Sequence, residues 1–304
     1  MFDLIIIGAG PAGTTAAIYG KRQKLKTLII TKDFEGQIGK KPIPIQNWPG
    51  NKEISGPKLM NNFKEHLKDF NVEIKEALVK KIKKSGDTFK VKTKEAEYES
   101  KSVIIASGSD PRPLEVPGEK KYIGKGVSYC AICDGSIYQD ENVVVVGGGD
   151  AGLETVTYLK DIAKKIYVLE FMKEIKAKES LKERVKKLDN VEIITGVKLK
   201  KIKGDKFVNS VVYEERESKE KKELKVEGVF VQVGYQPATA FISDLVEFNK
   251  KDEIKVDPWT GKTKTKGLYA AGDVTNVRYN QLVIAAGMGA TAALSAFHYL
   301  NEKE

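Results

Sequence analysis

Two glycine-rich turns, Gly8-Ala9-Gly10-Pro11-Ala12-Gly13 and Gly147-Gly148-Gly149-Asp150-Ala151-Gly152, restrict this chain more than any other feature. Each follows an apolar run, residues 3–7 and 143–146, and each precedes a helical pattern. Strand, G-x-G-x-x-G and helix in that order is the setting in which such a turn holds a dinucleotide. The first glycine permits the tight turn, the second lets backbone approach a pyrophosphate, and the third lets helix and strand pack closely. The free N–H groups at the helix start then face phosphate. Two such turns about 140 residues apart imply two nucleotides on one chain.

The second turn carries a further signal. The next apolar run, Ile166-Tyr167-Val168-Leu169, ends in Glu170, 23 residues after Gly147. That is close to the spacing of an acid that accepts hydrogen bonds from a ribose diol. A carboxylate there repels a 2′-phosphate. Phe171 and Met172 cannot pair with phosphate, and Lys173 and Lys176 lack arginine's bidentate fork. The expectation is NADH in preference to NADPH; the alternative is a surface glutamate at a strand end. After the first turn the corresponding position is Thr31, with Asp33 two residues on, so the ribose contact there stays open.

The chain has two cysteines, and both lie in Cys130-Ala131-Ile132-Cys133-Asp134-Gly135. Thiols at this spacing can close a small disulfide ring, and a helix start lowers the pKa of the first one. Asp134 supplies a carboxyl that can carry the proton moved in thiol–disulfide exchange. A zinc half-site or two buried apolar thiols are the alternatives. Zinc takes four ligands, and only His66 and His298 could add soft ones, at no metal-like spacing. No metal is expected.

With 304 residues the chain is long enough for two domains. The polar, glycine-rich setting of Trp48 suits a ligand rim, with plain core as the alternative. Alternating runs between residues 72 and 105 predict strands, with a hairpin at Gly86-Asp87. Val103–Ile105 returns to a buried strand that ends in Ala106-Ser107-Gly108. Prolines 111, 113 and 117 mark a linker. The runs 191–194, 208–213 and 223–226 predict a second antiparallel stretch, and the charged run 214–222 a solvated hairpin tip. Leu268–Ala271 leads into Gly272-Asp273, and residues 281–300 form a long helix rich in small residues.

The net charge is +10, from 52 Lys and Arg against 42 Asp and Glu. Its lysines are spread along the chain without an aromatic-interleaved stripe, which argues against nucleic acid. The short acidic start at Met1–Ile7 reads as a strand rather than a leader. No uninterrupted apolar run reaches the roughly 18 residues of a membrane span. The expected location is cytoplasmic.

Together these motifs resemble the low-molecular-weight thioredoxin reductase family over essentially the whole chain. The resemblance rests on Gly8–Gly13, Gln37, Asn47-Trp48-Pro49-Gly50, Cys130–Gly135, Gly147–Gly152, Gly272-Asp273 and Gln281. It implies an α/β fold of two Rossmann-like three-layer dinucleotide-binding domains, the second inserted into the first. Residues 1–114 and 241–304 would form the FAD-binding domain, and 115–240 the NAD(P)H-binding domain with the redox disulfide. FAD would be bound by Gly8, Gly10, Pro11, Ala12, Gly13, Gly36, Gln37, Asn47, Ala106 and Gly108, with Gly272 and Asp273 at its ribityl or phosphate region and Gln281 near its ring. The nicotinamide cofactor would be bound by Gly147, Gly149, Asp150, Gly152 and Glu170. Cys130–Cys133 would be the active disulfide, Cys133 facing flavin, Cys130 attacking the partner, and Asp134 the proton-transfer acid.

Reductases of this kind that use NADPH carry His-Arg-Arg where this chain has Glu170-Phe171-Met172. The segment here is similar to the flavoprotein half of the alkyl hydroperoxide reductase F component, which uses NADH, as are Lys176-Ala177 and Gly228–Gly234. That component carries a further dithiol domain ahead of this region. With the first turn at residue 8 and no other cysteines, electrons are expected to leave to a separate thioredoxin- or glutaredoxin-like protein. The implied enzyme is an NADH-preferring, FAD-dependent thioredoxin-disulfide reductase, a homodimer by family resemblance. The alternatives are the same fold with another donor, such as reduced ferredoxin or a deazaflavin, or a non-catalytic nucleotide binder.

Overall fold

The structure, a computed structural model, describes residues 1–34, 36–39 and 45–302. Contacts divide the chain into two units: Met1–Asp110 with Tyr235–Glu304, and Pro111–Gly234. Each contains a sheet with a parallel core, mixed in the first unit, and one glycine turn after a central strand, so the fold is α/β with the second unit inserted into the first.

In the first unit the sheet runs Glu73–Glu76, Thr27–Thr31, Phe2–Ile7, Glu97–Ile105, Thr88–Lys92, Lys81–Ser85. The last two strands form an antiparallel hairpin. Leu268–Ala270 joins in parallel on the carboxyl half of Glu97–Ile105. That long strand changes character along its length. Its first half alternates exposed and buried residues beside the hairpin, and its second half is buried throughout between parallel neighbours.

The apolar run of the first strand is explained by covering on both sides. Leu4 and Ile6 pack in a cluster with Ala16, Ala17 and Ala293, whereas Ile5 and Ile7 pack with Phe89, Val91 and Val246. The helix Leu282–Asn301 lies against the helix Pro11–Arg22. A Cβ on Gly289 would come within 2.1 Å of Ala12 O, so the small residues read in the sequence serve close helix–helix approach. By length and composition alone this helix is long and apolar enough to cross a membrane. Its Ala285, Gly289, Ala292, Ala293 and Ala296 are buried inside the unit.

The second unit has a parallel sheet in the order Val191–Thr195, Lys165–Glu170, Asn142–Val146, Gly228–Val231, Val127–Ser128. Val143 and Val145 face a cluster with Leu153, Val156 and Leu159 from the helix Asp150–Leu159. Val144 and Val146 face Val197, Leu199 and Val211 from a three-stranded antiparallel sheet. One expectation is corrected here. The run 191–194 is not antiparallel: it pairs in parallel with Lys165–Glu170, register Ile166 to Val191. The intervening helix Glu179–Lys186 supplies the crossover that parallel pairing requires. The antiparallel sheet is built instead from Val197–Gly204, Val208–Glu215 and Lys221–Lys225. Its first strand, lysine-rich with Val197, Leu199 and Ile202 inside and a register shift between Leu199 and Lys201, was not among the predicted runs.

A buried carboxylate organises the start of this unit. Glu119 is 1% exposed and accepts hydrogen bonds from the N–H groups of Leu114 and Glu115 and from Tyr129 Oη, each at 2.8 Å. Burial, and then this bond to Glu119, pushes the Tyr129 phenol far above its usual range. Glu119→Ala leaves three part-buried donors without their acceptor, so an expected loss of about 2 kcal/mol in unfolding free energy is measurable by denaturant titration.

Candidate active site and dinucleotide cradles

The two glycine turns have matching geometry. Gly8 has φ +106° and Gly147 φ +112°, a region closed to other residues without strain. A Cβ on Gly8 would stand 2.3 Å from Ala106 O, and one on Gly147 2.4 Å from Gln232 O. Both carbonyls belong to segments that follow a neighbouring parallel strand. Gly13 and Gly152 hold the helices against the turns: their Cβ atoms would lie 1.9 and 1.8 Å from Gly8 O and Gly147 O. Gly10 and Gly149, each the N-cap of its helix, have nothing within 4 Å of a built Cβ. Each turn is therefore packed on its inner side and open at its middle glycine, where the helix start presents backbone N–H groups. Pro11 occupies the first helical position of the first cradle, where a missing N–H costs nothing, and Ala12 and Gly13 complete the turn. These residues fit a dinucleotide pyrophosphate.

Sheet order gathers the remaining first-unit candidates. Ile7 pairs with Ile30 and Ile105, and Ile105 with Ala270, so Gly8, Thr31, Ala106 and Gly272 all lie at the carboxyl ends of parallel strands. That is where ligands bind open α/β sheets. Gly272, φ +76°, would place a Cβ 3.2 Å from Ala12 Cβ, which puts Asp273 beside the helix start. Asn47 Nδ2 donates to Gln281 Oε1 at 3.1 Å, joining two candidates 234 residues apart. Gln37 Nε2 donates to Ser109 O, and Gly108 O accepts from Ala238 N–H. Gly36 N–H donates to Asp33 Oδ1 at 2.7 Å, and Thr31 Oγ1 donates to Asp33 O. Asp33 thus accepts from the first N–H of the helix Gly36–Gly39. Ser109 Oγ is the buried side-chain polar atom that lacks a partner among the described residues, an unfilled hydrogen-bonding group on the segment Gln37 contacts. Trp48, expected at a ligand rim, is half-buried and packs edge-on to Phe63 with centroids 5.5 Å apart.

In the second cradle Glu170 stands where the spacing predicts. Its Oε2 accepts from Gly148 N–H at 2.5 Å and its Oε1 from Met172 N–H at 2.7 Å. A carboxylate has about four acceptor sites, so capacity remains for a diol. Asp150 has a different set of partners: it accepts from Lys178 N–H at 2.8 Å and lies 3.8 Å from Lys178 Nζ. It anchors the loop after Glu170.

The same unit carries the sulfur site. Cys130 and Cys133 form a disulfide with Cα atoms 5.3 Å apart. Cys130 is the N-cap of the short helix Ala131–Asp134, and its Sγ accepts from Cys133 N–H at 3.2 Å. That donor favours a thiolate on Cys130. Cys133 is the more exposed of the two. Asp134 is buried and accepts from Ser128 Oγ at 2.5 Å, while Ser128 Oγ accepts from Cys130 N–H at 3.0 Å. Ser128 was missed from sequence: a serine two residues before a cysteine has no distinguishing pattern. Tyr138 lies nearby, its ring edge-on to Phe230 at 5.2 Å. Burial, and then the Asp134 charge, pushes its phenol up to about 12, so it stays neutral across the working range.

The sequence matches the family pattern "Pyridine nucleotide-disulphide oxidoreductase" over residues 2–289. The chain belongs to that family. Within the pyridine nucleotide-disulphide oxidoreductases it is 40% identical to a protein of Bacillus subtilis named NADH dehydrogenase, over 98% of this chain and 58% of that one. It is 38% identical to the F component of alkyl hydroperoxide reductase in Pseudomonas aeruginosa, again over 98% and 58%. The chain spans about 58% of the length of these curated relatives. The solved thioredoxin reductase of Streptococcus pyogenes matches with a TM-score of 0.94 at 39% identity, covering 99% of both chains. The resemblance read from the motifs therefore holds for sequence and fold alike.

Proposed function

We propose that the chain is an NADH-preferring, FAD-dependent disulfide reductase that delivers electrons to a separate thioredoxin- or glutaredoxin-like protein. The carrying observation is the Cys130–Cys133 disulfide, with Asp134 and Ser128 hydrogen-bonded into its loop, in the unit that holds the second dinucleotide cradle. The first cradle, with Gln37, Asn47, Gly272, Asp273 and Gln281, is the FAD site, and residues 1–114 and 241–304 form its domain, bounds that lie within six residues of those of the contact-defined unit. The second, with Gly147, Gly149, Gly152 and Glu170, is the NADH site within 115–240. FAD, when bound, supplies the two-electron relay between nicotinamide and sulfur.

The chain's own groups then act as follows. Glu170 accepts the ribose diol and disfavours a 2′-phosphate. Cys130, steadied as a thiolate by Cys133 N–H, attacks the partner's disulfide, and Cys133 resolves the mixed disulfide. Asp134 holds the proton that moves with each thiol. The named relatives, an NADH dehydrogenase and a component of alkyl hydroperoxide reductase, support a nicotinamide donor. A cytoplasmic homodimer is the expected setting.

The deciding experiment adds NADH anaerobically to FAD-loaded protein. Bleaching of the flavin absorbance with appearance of two titratable thiols supports the proposal; a chain that stays colourless when supplied with FAD overturns it. A kcat/KM favouring NADPH removes the NADH preference, and inactivity with both nucleotides points to a ferredoxin or deazaflavin donor. Ser128→Ala is expected to slow dithiol–disulfide exchange about ten-fold by removing a charge-assisted hydrogen bond to Asp134, with Ser128→Thr close to normal; stopped-flow oxidation of the reduced protein measures both.

A further inference from the structure

The tip of the hairpin between Val208–Glu215 and Lys221–Lys225 is more than a solvated turn. Arg216 lies 45 residues from Phe171 in sequence, yet its Nη1 donates to Phe171 O at 3.0 Å. Its Cζ stands 3.9 Å from the centre of the Phe171 ring. Arg216 N–H donates to Gly196 O at 2.9 Å, and Gly196 N–H donates to Met172 O at 2.8 Å. The neighbouring Glu217 pairs with Lys173. Met172 N–H in turn holds Glu170 Oε1, and Glu170 Oε2 takes Gly148 N–H in the glycine turn. One continuous set of contacts thus joins the hairpin tip to the ribose-reading carboxylate.

An arginine at this place has two opposite uses. Left free, its planar fork suits a 2′-phosphate bidentately and would favour NADPH. Stacked on Phe171 and bonded to the Phe171 carbonyl, it stiffens the turn that donates to Glu170. Phe171 is 48% exposed, so its ring offers the guanidinium a flat surface at the rim of the cradle. The observed contacts are of the second kind.

We infer that Arg216 is a positioning residue for coenzyme choice: it locks the Phe171–Met172 turn and thereby fixes Glu170 as an acceptor for an unphosphorylated ribose. This rests on the NADH reading of the second cradle. The contact is exposed, so its effect is moderate, about five-fold in affinity.

Calorimetric titration with ADP-ribose and with 2′-phospho-ADP-ribose tests it, because neither ligand carries a nicotinamide and turnover does not enter. Arg216→Ala should weaken ADP-ribose binding about five-fold and leave the 2′-phosphorylated ligand no weaker than before. Arg216→Lys keeps the charge without the flat stack and should behave like the alanine variant. Phe171→Ala should produce a similar loss, and the double variant no more than either single one. Unchanged ADP-ribose affinity in Arg216→Ala, full retention in Arg216→Lys, or additive losses in the double variant overturns the inference. So does a greater loss for the 2′-phosphorylated ligand, which would make Arg216 a phosphate clamp. The NADH reading is judged separately, on the unsubstituted protein: tighter binding of 2′-phospho-ADP-ribose than of ADP-ribose removes it.

Discussion

Replacing Cys133 by serine should lower turnover with a disulfide substrate by at least about a thousand-fold while NADH still bleaches the flavin. Thiol–disulfide exchange needs a second sulfur to resolve the mixed disulfide, and a serine hydroxyl can neither attack sulfur at neutral pH nor close the ring. The remaining Cys130 still has Cys133's backbone donor at 3.2 Å in the parent structure, a contact that survives the side-chain change because it comes from the main chain. Cys130 should therefore attack a partner's disulfide and stop there, leaving a covalent adduct that dithiothreitol releases. Cys130→Ser should bleach as well but capture nothing. Capture by Cys130→Ser and not by Cys133→Ser would exchange the two roles, the outcome that the greater exposure of Cys133 would favour. Full turnover in either variant would take the disulfide out of the electron route.

The second large effect separates two glycines only three residues apart. Gly152→Ala puts a methyl 1.8 Å from Gly147 O, where helix and turn must part; a loss of about 4 kcal/mol in stability is expected. Gly149→Ala meets nothing within 4 Å, at φ −77° and ψ −175°, which alanine adopts freely. It should melt like the parent protein yet bind NADH on the order of a hundred-fold more weakly, because its methyl fills the face the pyrophosphate must approach. Gly13 and Gly10 should behave the same way in the first cradle, with retained flavin colour as the readout. Thermal unfolding followed by equilibrium binding measures both halves. A Gly149→Ala variant that binds NADH normally would mean the open face is not where the phosphates lie.

Much of this arrangement was legible from residue order because its causes are local. A tight turn followed by a helix start is fixed within six residues, so both cradles were readable, as was the dithiol loop at Cys130–Cys133. Glu170 was readable because the length of one helix and one strand sets its distance from Gly147. Asp150 is assigned to the cofactor by the family resemblance alone; its carboxylate also engages Lys178, a partner that no spacing rule names.

The sequence by itself determined that two strand–turn–helix units exist, which glycines each needs, and which two sulfur atoms lie close enough to bond. Only the tertiary structure decided the rest. The carbonyl that forbids a side chain at Gly8 belongs to Ala106, the amide of Asn47 finds Gln281, and the guanidinium of Arg216 finds Phe171. It also turned Val191–Thr195 into a parallel strand and buried Ser128 against Asp134. These pairings follow from strand order and from the return of distant loops, which depend on the packing of whole layers, whereas a turn or a disulfide ring depends on a few consecutive dihedral angles.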